Sequence, residues 1–303
     1  MSYKPLILIG AARSGTKLLR DLVALHPNVD SVPYDVPYIW TKHNEHIGHD
    51  QLDLALANEK VRSYIQSALG RFHREGEFLI EKTVGNTLRV PFVQAIFPDA
   101  KLLVLRRHGI DVVESVWRMW QAPPDPGYIL KKLRTFPIHE AFGYGVRYAG
   151  TMFSKVVLGK KDAGIWGVRY PGVESDLKKH SLLEVCAIQW VKCIEESENA
   201  LASIPDDRKV VVRYEDLVER PEVEIRRVCE FAGIDFVPFE GGLLGGKVQK
   251  GSVGKGASKL KPEELGSILP IITPAMVRLG YEVPPHPPAP SPSGTSHPDR
   301  EGE

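Results

Sequence analysis

Apolar residues in this chain come in short unbroken runs separated by stretches of helical period, an alternation that predicts a layered α/β domain. Leu6 to Ile9 is such a run, closed by Gly10, and reads as a strand buried on both faces. The loop Ala11 to Gly15 follows, and then Leu18, Leu19, Leu22, Val23 and Leu25 fall on one helical stripe that Pro27 and Asn28 stop. A second cycle reads as strand at Phe78 to Ile80, turn at Glu81 to Gly85 and helix at Asn86 to Phe97. A third has Lys101 to Leu105 as strand and Asp111 to Trp120 as helix. Gly127 to Gly172 is irregular, Leu177 to Ser203 reads as one long amphipathic helix, and Lys209 to Arg213 is the last clear strand. Strands alternating with helices predict a parallel sheet covered on both faces, with ligands at the carboxyl ends of the strands.

Composition changes this picture at three points. The 303 residues suffice for a full core, and 39 basic against 38 acidic residues leave a formal charge of +1, so no nucleic-acid partner is expected. The apolar run ahead of Gly10 is too short for a signal-peptide core or a membrane span, so a cytoplasmic protein without an integral membrane segment is expected. Cys186, Cys193 and Cys229 match neither a zinc site nor a disulfide framework. From Pro284 onward the chain is rich in proline and serine, so 284–303 is expected to be a disordered tail behind a single domain at 1–283.

The chemistry concentrates where strands end. Gly10-Ala11-Ala12-Arg13-Ser14-Gly15-Thr16-Lys17 lies between a buried strand and a helix, where unpaired backbone N–H groups and the helix dipole favour an anion. A nucleotide-triphosphatase loop would read GxxxxGK followed by Ser or Thr. Here Thr16 precedes Lys17, and no strand ends in an acid suited to magnesium. Arg107 follows the third strand with Ser115 in the next helix, and a guanidinium and a hydroxyl so placed can converge on one phosphate.

These segments resemble the sulfotransferases that use 3'-phosphoadenosine 5'-phosphosulfate (PAPS). Arg13-Ser14-Gly15-Thr16 is similar to their phosphosulfate loop, and Arg107 to Ser115 to their second signature, whose Arg and Ser contact the 3'-phosphate. Tyr214-Glu215-Asp216-Leu217 with Pro221 is similar to a YEDL segment whose tyrosine lies by the adenine; Glu215 and Asp216 read as caps of the following turn. Lys250-Gly251-Ser252-Val253-Gly254 resembles a late KGxxG loop around the 3'-phosphate, with Gln249 where many members place an arginine and Lys255 nearby. Leu279-Gly280-Tyr281 is a familiar terminus of bacterial-type members, so the resemblance spans about 5–281.

The resemblance implies a P-loop-NTPase-like parallel sheet flanked by helices on both faces, PAPS as donor with 3'-phosphoadenosine 5'-phosphate (PAP) as product, and no metal. Glu81-Lys82-Thr83 is similar to the EK(S/T) segment of heparan-type members, which implies Glu81 as the base and Lys82 near the sulfuryl group; the usual next proline is Val84 here. Arg13, and after it Lys17, would stabilise negative charge at the helix start. The acceptor would be a small molecule, a lipid or a saccharide held between Val32 to Gly70 and Gly127 to Gly172. A P-loop kinase and an inactive PAP- or nucleotide-binding module are the alternatives. His43, His46 and His49 lack the HExxH spacing of a zinc site.

Overall fold

A computed structural model of the chain describes residues 2–122, 165–248, 251 and 253–285. Five strands, β1 (Lys4–Ile9), β2 (Val29–Ser31), β3 (Phe78–Glu81), β4 (Lys101–Arg106) and β5 (Lys209–Arg213), form one parallel sheet in the order β2-β3-β1-β4-β5. The fold is P-loop-NTPase-like. Register sets Ile7 of β1 against Glu81 and Ile9 against Val104, so Glu81 and the loop after β1 emerge side by side at the carboxyl edge.

Strand alternation sorts the core into layers. On one face Ile7 and Ile9 pack with α3 (Glu59–Gly70) and α4 (Val90–Ile96), through Ile65, Phe92 and Ile96. On the other, Leu6 and Leu8 pack with α1 (Thr16–Val23) and α9 (Pro221–Ala232), through Leu19, Leu22 and Val228. A third cluster joins α5 (Gly109–Gln121), α7 (Leu182–Leu201) and α11 (Pro262–Arg278), through Val116, Trp190 and Ile272. The remaining α-helices among the described residues are α2 (Pro37–Trp40), α6 (Val173–Lys179), α8 (Tyr214–Glu219) and α10 (Gly256–Lys259). Among the described residues no helix is long and apolar enough to cross a membrane.

Three expectations need correcting. The strand β2 was not expected: Val29-Asp30-Ser31 has no apolar run, and its pairing with Phe78 to Ile80 makes it a strand. The helix expected over Asn86 to Phe97 is a 3-10 turn, Val84–Leu88, followed by α4. Arg89 leaves helical geometry at φ −145°, and Pro91 lacks the N–H that an interior position would use. The long helix expected from Leu177 to Ser203 breaks at His180. Ser181 starts α7 with a capping box, in which Glu184 N donates to Ser181 Oγ at 3.3 Å and Ser181 N to Glu184 Oε2 at 2.8 Å.

Candidate functional site

The loop after β1 turns back on itself before α1. Ser14 is buried, and its hydroxyl donates to the Ala11 carbonyl at 2.6 Å. Arg13 holds a positive φ of 66°, a strained conformation for a side chain that is not glycine, of the kind concentrated at ligand sites. Gly15, at φ 99°, stands at the N-cap of α1, and a Cβ there would lie 2.2 Å from the Tyr214 ring. Only glycine lets the loop and the tyrosine close on each other.

Segments far apart in sequence converge on this loop. Arg13 Nε donates to Ser115 Oγ on α5 at 3.0 Å, and Arg107 Nη1 donates to the Arg13 carbonyl at 3.1 Å. The Arg107 guanidinium lies 4.1 Å from the Tyr214 ring centroid, a cation–π distance. Burial lowers the pKa of Arg13, and the charges of Arg118 and Arg107 lower it further. Guanidinium groups crowded in this way repel one another, and an anion bound among them removes the penalty.

Other predicted residues have different surroundings. Lys17 points along α1 into an exposed ion pair with Asp21 at 2.6 Å, away from the loop mouth, because the i,i+4 partner lies on the same helix face. Thr16 is buried, with its methyl against Gly10. Tyr214 is 7% exposed, so Gly15 and Arg107 take most of the ring that an adenine would need. Lys250 lies outside the described residues, as do Gln249, Ser252 and 123–164 of the expected acceptor region; Gly251 is described and exposed. Arg106 donates from Nε and Nη2 to Oε1 and Oε2 of Glu198 on α7, at 2.9 and 2.5 Å, and so is engaged elsewhere than Arg107.

Glu81 and Lys82 are not the surface pair that a strand end suggests. Glu81 has no solvent exposure; Thr83 Oγ1 donates to its Oε1 at 2.5 Å and Asn86 Nδ2 to its Oε2 at 2.9 Å. Arg89, also buried, donates from Nε to Asn86 Oδ1 at 2.9 Å and so fixes the amide. Lys82 reaches across to Asp35 on the loop after β2, with Nζ to Oδ2 at 2.8 Å. Val84 N donates to Asp35 Oδ1 at 3.1 Å. A proline at 84 would have no N–H to give, so the departure at this position creates the second tie to Asp35.

Burial pushes the Glu81 carboxyl up from 4.5 to about 7; the Thr83 hydrogen bond opposes the rise and the charge of Asp35 adds to it. The folded state therefore holds more protons on Glu81 than the unfolded chain between pH 4.5 and 7. Its contribution to stability falls as pH rises across that window and levels off above it. Urea unfolding of the wild type and Glu81→Gln across this range is expected to show a difference between the two that changes from pH 4.5 to 7. Parallel curves would contradict this account of the carboxyl.

Asp111, given no role from the sequence, and Glu215, expected only as a cap, both join segments of the site. Asp111 receives Gly254 N at 2.8 Å and Gly256 N at 2.7 Å. Glu215 does not cap its own turn: it receives His108 N and the Tyr281 hydroxyl, both at 3.0 Å, while Arg213 lies 4.1 Å from the Tyr281 ring centroid. Tyr281 is thereby tied to the segment carrying Arg107. The two expected acceptor segments meet in their described parts, where Asp50 N donates to Arg169 O at 2.7 Å and Arg169 N to Asp50 Oδ2 at 2.8 Å. His43 packs edge-on against Tyr64 at 5.4 Å, and no three His, Cys, Asp or Glu gather among the described residues. The three cysteines are buried, and burial pushes each thiol up to about 12.

A family model described as the sulfotransferase family matches residues 5–136 and 170–238, more than half of the chain. Comparison with curated proteins finds no match. Among solved structures, the chain is similar to the sulfotransferase domain of the Synechococcus PCC 7002 olefin synthase. The two are 16% identical with a TM-score of 0.55, over 93% of this chain and 97% of that one. It is also similar to sulfotransferase STF9 from Mycobacterium avium, at 12% identity and a TM-score of 0.53, over 93% of this chain and 78% of that one. At these identities the likeness is one of fold.

Proposed function

We propose, for a chain that belongs to the sulfotransferase family and is an enzyme of it, that the loop after β1 takes the phosphosulfate of PAPS and passes its sulfuryl group to a hydroxyl or amine. The observation that carries this reading is the convergence of Arg13 from one motif with Arg107 and Ser115 from another, some 94 to 102 residues away in sequence, at one loop mouth. The residues present fit such a donor. A cluster of guanidinium groups suits two anionic ends, and Gly15 and Gly256 let Tyr214 and Asp111 close on the loops that carry them. When bound, the donor supplies a sulfuryl group already linked to a phosphate leaving group.

The residues of this chain then divide the work. Loop N–H groups and Arg13 hold the phosphosulfate and the charge that grows on the leaving phosphate, while Arg107, Ser115 and the glycine loop at 250–256 hold the 3'-phosphate. Lys82 is a cation at the carboxyl end of β3, beside Asp35. Asp35, 39% exposed and paired with Lys82, is the carboxylate at this strand edge that solvent reaches. It is a better candidate than the enclosed Glu81 to receive the proton leaving the acceptor. Glu81 instead fixes the Thr83 and Asn86 turn behind it. The acceptor is a small molecule, lipid or saccharide.

The test is transfer of radiolabelled sulfate from PAPS to panels of phenols, alkyl alcohols, amines and saccharides. Labelled product is expected from at least one panel, and PAPS turned over with none, under any panel, would count against the reading. With the acceptor so found, Asp35→Asn is expected to lower kcat by roughly 100-fold or more, the range for loss of a general base, with PAP affinity unchanged. Glu81→Gln is expected to lower it less. The reverse ranking would return the base to Glu81.

A further inference from the structure

Asp111 is an acid placed among cations that await a phosphate. It sits in the first turn of α5, four residues after Arg107 and four before Ser115, and is 3% exposed. A carboxylate there would repel a bound phosphate by simple Coulomb interaction. An acid in the first turn of a helix ordinarily complements its own helix dipole. The partners of Asp111 are instead backbone amides 143 and 145 residues away: Oδ2 receives Gly254 N at 2.8 Å and Oδ1 receives Gly256 N at 2.7 Å.

The approach is close enough to dictate residue type on both sides. A Cβ on Gly256 would lie 2.7 Å from Asp111 Cα and 2.8 Å from Asp111 N, both backbone atoms that cannot swing away. Gly254 adopts φ 71°, the left-handed conformation that lets its N–H turn inward. One turn further along α5, Glu114 Oε2 lies 3.6 Å from Lys259 Nζ on α10, so the segment is held at a second point. Arg107 Nη2 is also within 3.6 Å of Asp111 Oδ2, which brings the phosphate-side guanidinium and the loop to one carboxylate.

We propose that Asp111 is a positioning residue of the donor site: its two oxygens latch the Gly254 to Gly256 turn onto α5 beside Arg107 and so shape the end of the site that takes the 3'-phosphate. The inference rests on the donor reading above. Neutralised by two amide donors and the edge of Arg107, the carboxylate adds little repulsion toward the ligand. What it contributes is the place of the Gly254 to Gly256 turn, hence discrimination between ligands with and without a 3'-phosphate. The asparagine variant cannot serve both amides, because its Nδ2 would face one of the N–H donors.

Calorimetric titration of the full chain with PAP and with 5'-AMP, which lacks the 3'-phosphate, separates the possibilities. The wild type is expected to prefer PAP. Asp111→Asn is expected to weaken PAP roughly 10-fold, the loss of one charge-assisted hydrogen bond, and to leave 5'-AMP where it was. Gly256→Ala keeps the carboxylate but blocks the approach, and is expected to give the same selective loss, so the result does not depend on one variant folding. Equal weakening of both nucleotides, or no change in either, would overturn the latch. A wild type that binds PAP no better than 5'-AMP would instead overturn the donor reading on which it rests.

Discussion

Arg107→Ala is expected to weaken PAP binding by about 1.5–3 kcal/mol, or roughly 10- to 150-fold in Kd, the cost of removing a charged hydrogen-bond donor from a phosphate. Arg107 is buried at the end of β4, bonded to the Arg13 carbonyl at 3.1 Å and stacked on Tyr214 at 4.1 Å. Its charge is therefore preorganised at the loop mouth, and little ordering entropy remains to be lost on binding. The matched control is Arg106→Ala. That guanidinium is turned to Glu198 on α7 and not to the Arg13 carbonyl, so its loss is expected to lower thermal stability and to weaken PAP far less than the loss of Arg107. Calorimetry with PAP on both variants checks the contrast, and similar losses from the two would show that charge in general, not the placement of Arg107, drives binding.

Gly15→Ala is the second large effect. Alanine at φ 99° is strained, and its Cβ would sit 2.2 Å from Tyr214 Cδ2 and 2.5 Å from Cε2. The ring can move only by displacing Arg107, which rests on it. Backbone strain and overpacking together are expected to destabilise the chain by about 2–5 kcal/mol and to remove measurable PAP binding. Gly172 provides the comparison: it has nearly the same conformation, φ 92° and ψ 0°, with nothing within 4 Å of a Cβ. Gly172→Ala carries the conformational cost alone, about 1–2 kcal/mol, and should bind PAP normally. Chemical denaturation and PAP titration of both separate backbone strain from the clash with Tyr214; equal losses would remove the clash from the account.

What was legible in the sequence follows from where the physics is local. The strands at 6–9 and 101–105 announce themselves because a strand buried on both faces must be apolar throughout, the edge strand at 209–213 shows through its run of three valines, and the loop between a strand and a helix carries its own anion-binding geometry. Strand β2 gave no such sign, since Val29-Asp30-Ser31 is held by its neighbour. The capping box at Ser181 and Glu184 was written in the sequence, but helical periodicity on either side obscured it. The direction of Lys17 is set by Asp21, within the same helix, and the i,i+4 spacing was there to read.

Side-chain partners across the fold were the illegible part. Asp111 looks like an ordinary first-turn acid until Gly254 and Gly256 arrive from the other end of the chain. Glu215 looks like a cap until His108 and Tyr281 supply its hydrogen bonds. The EKT segment predicted a carboxylate at the strand end, and one is there, but the pleat that brings Glu81 level with Ile7 also turns it inward. Asp35 belongs to a loop with no periodic pattern, and its link to Lys82 and Val84 depends on β2 lying beside β3.

The most direct test of the donor assignment is isothermal titration of the wild-type chain with PAP and with ATP, each with and without magnesium. The account predicts PAP binding that does not depend on magnesium, with ATP weaker under both conditions. Magnesium-dependent ATP binding with no PAP signal would contradict it and turn the site into that of a nucleotide kinase.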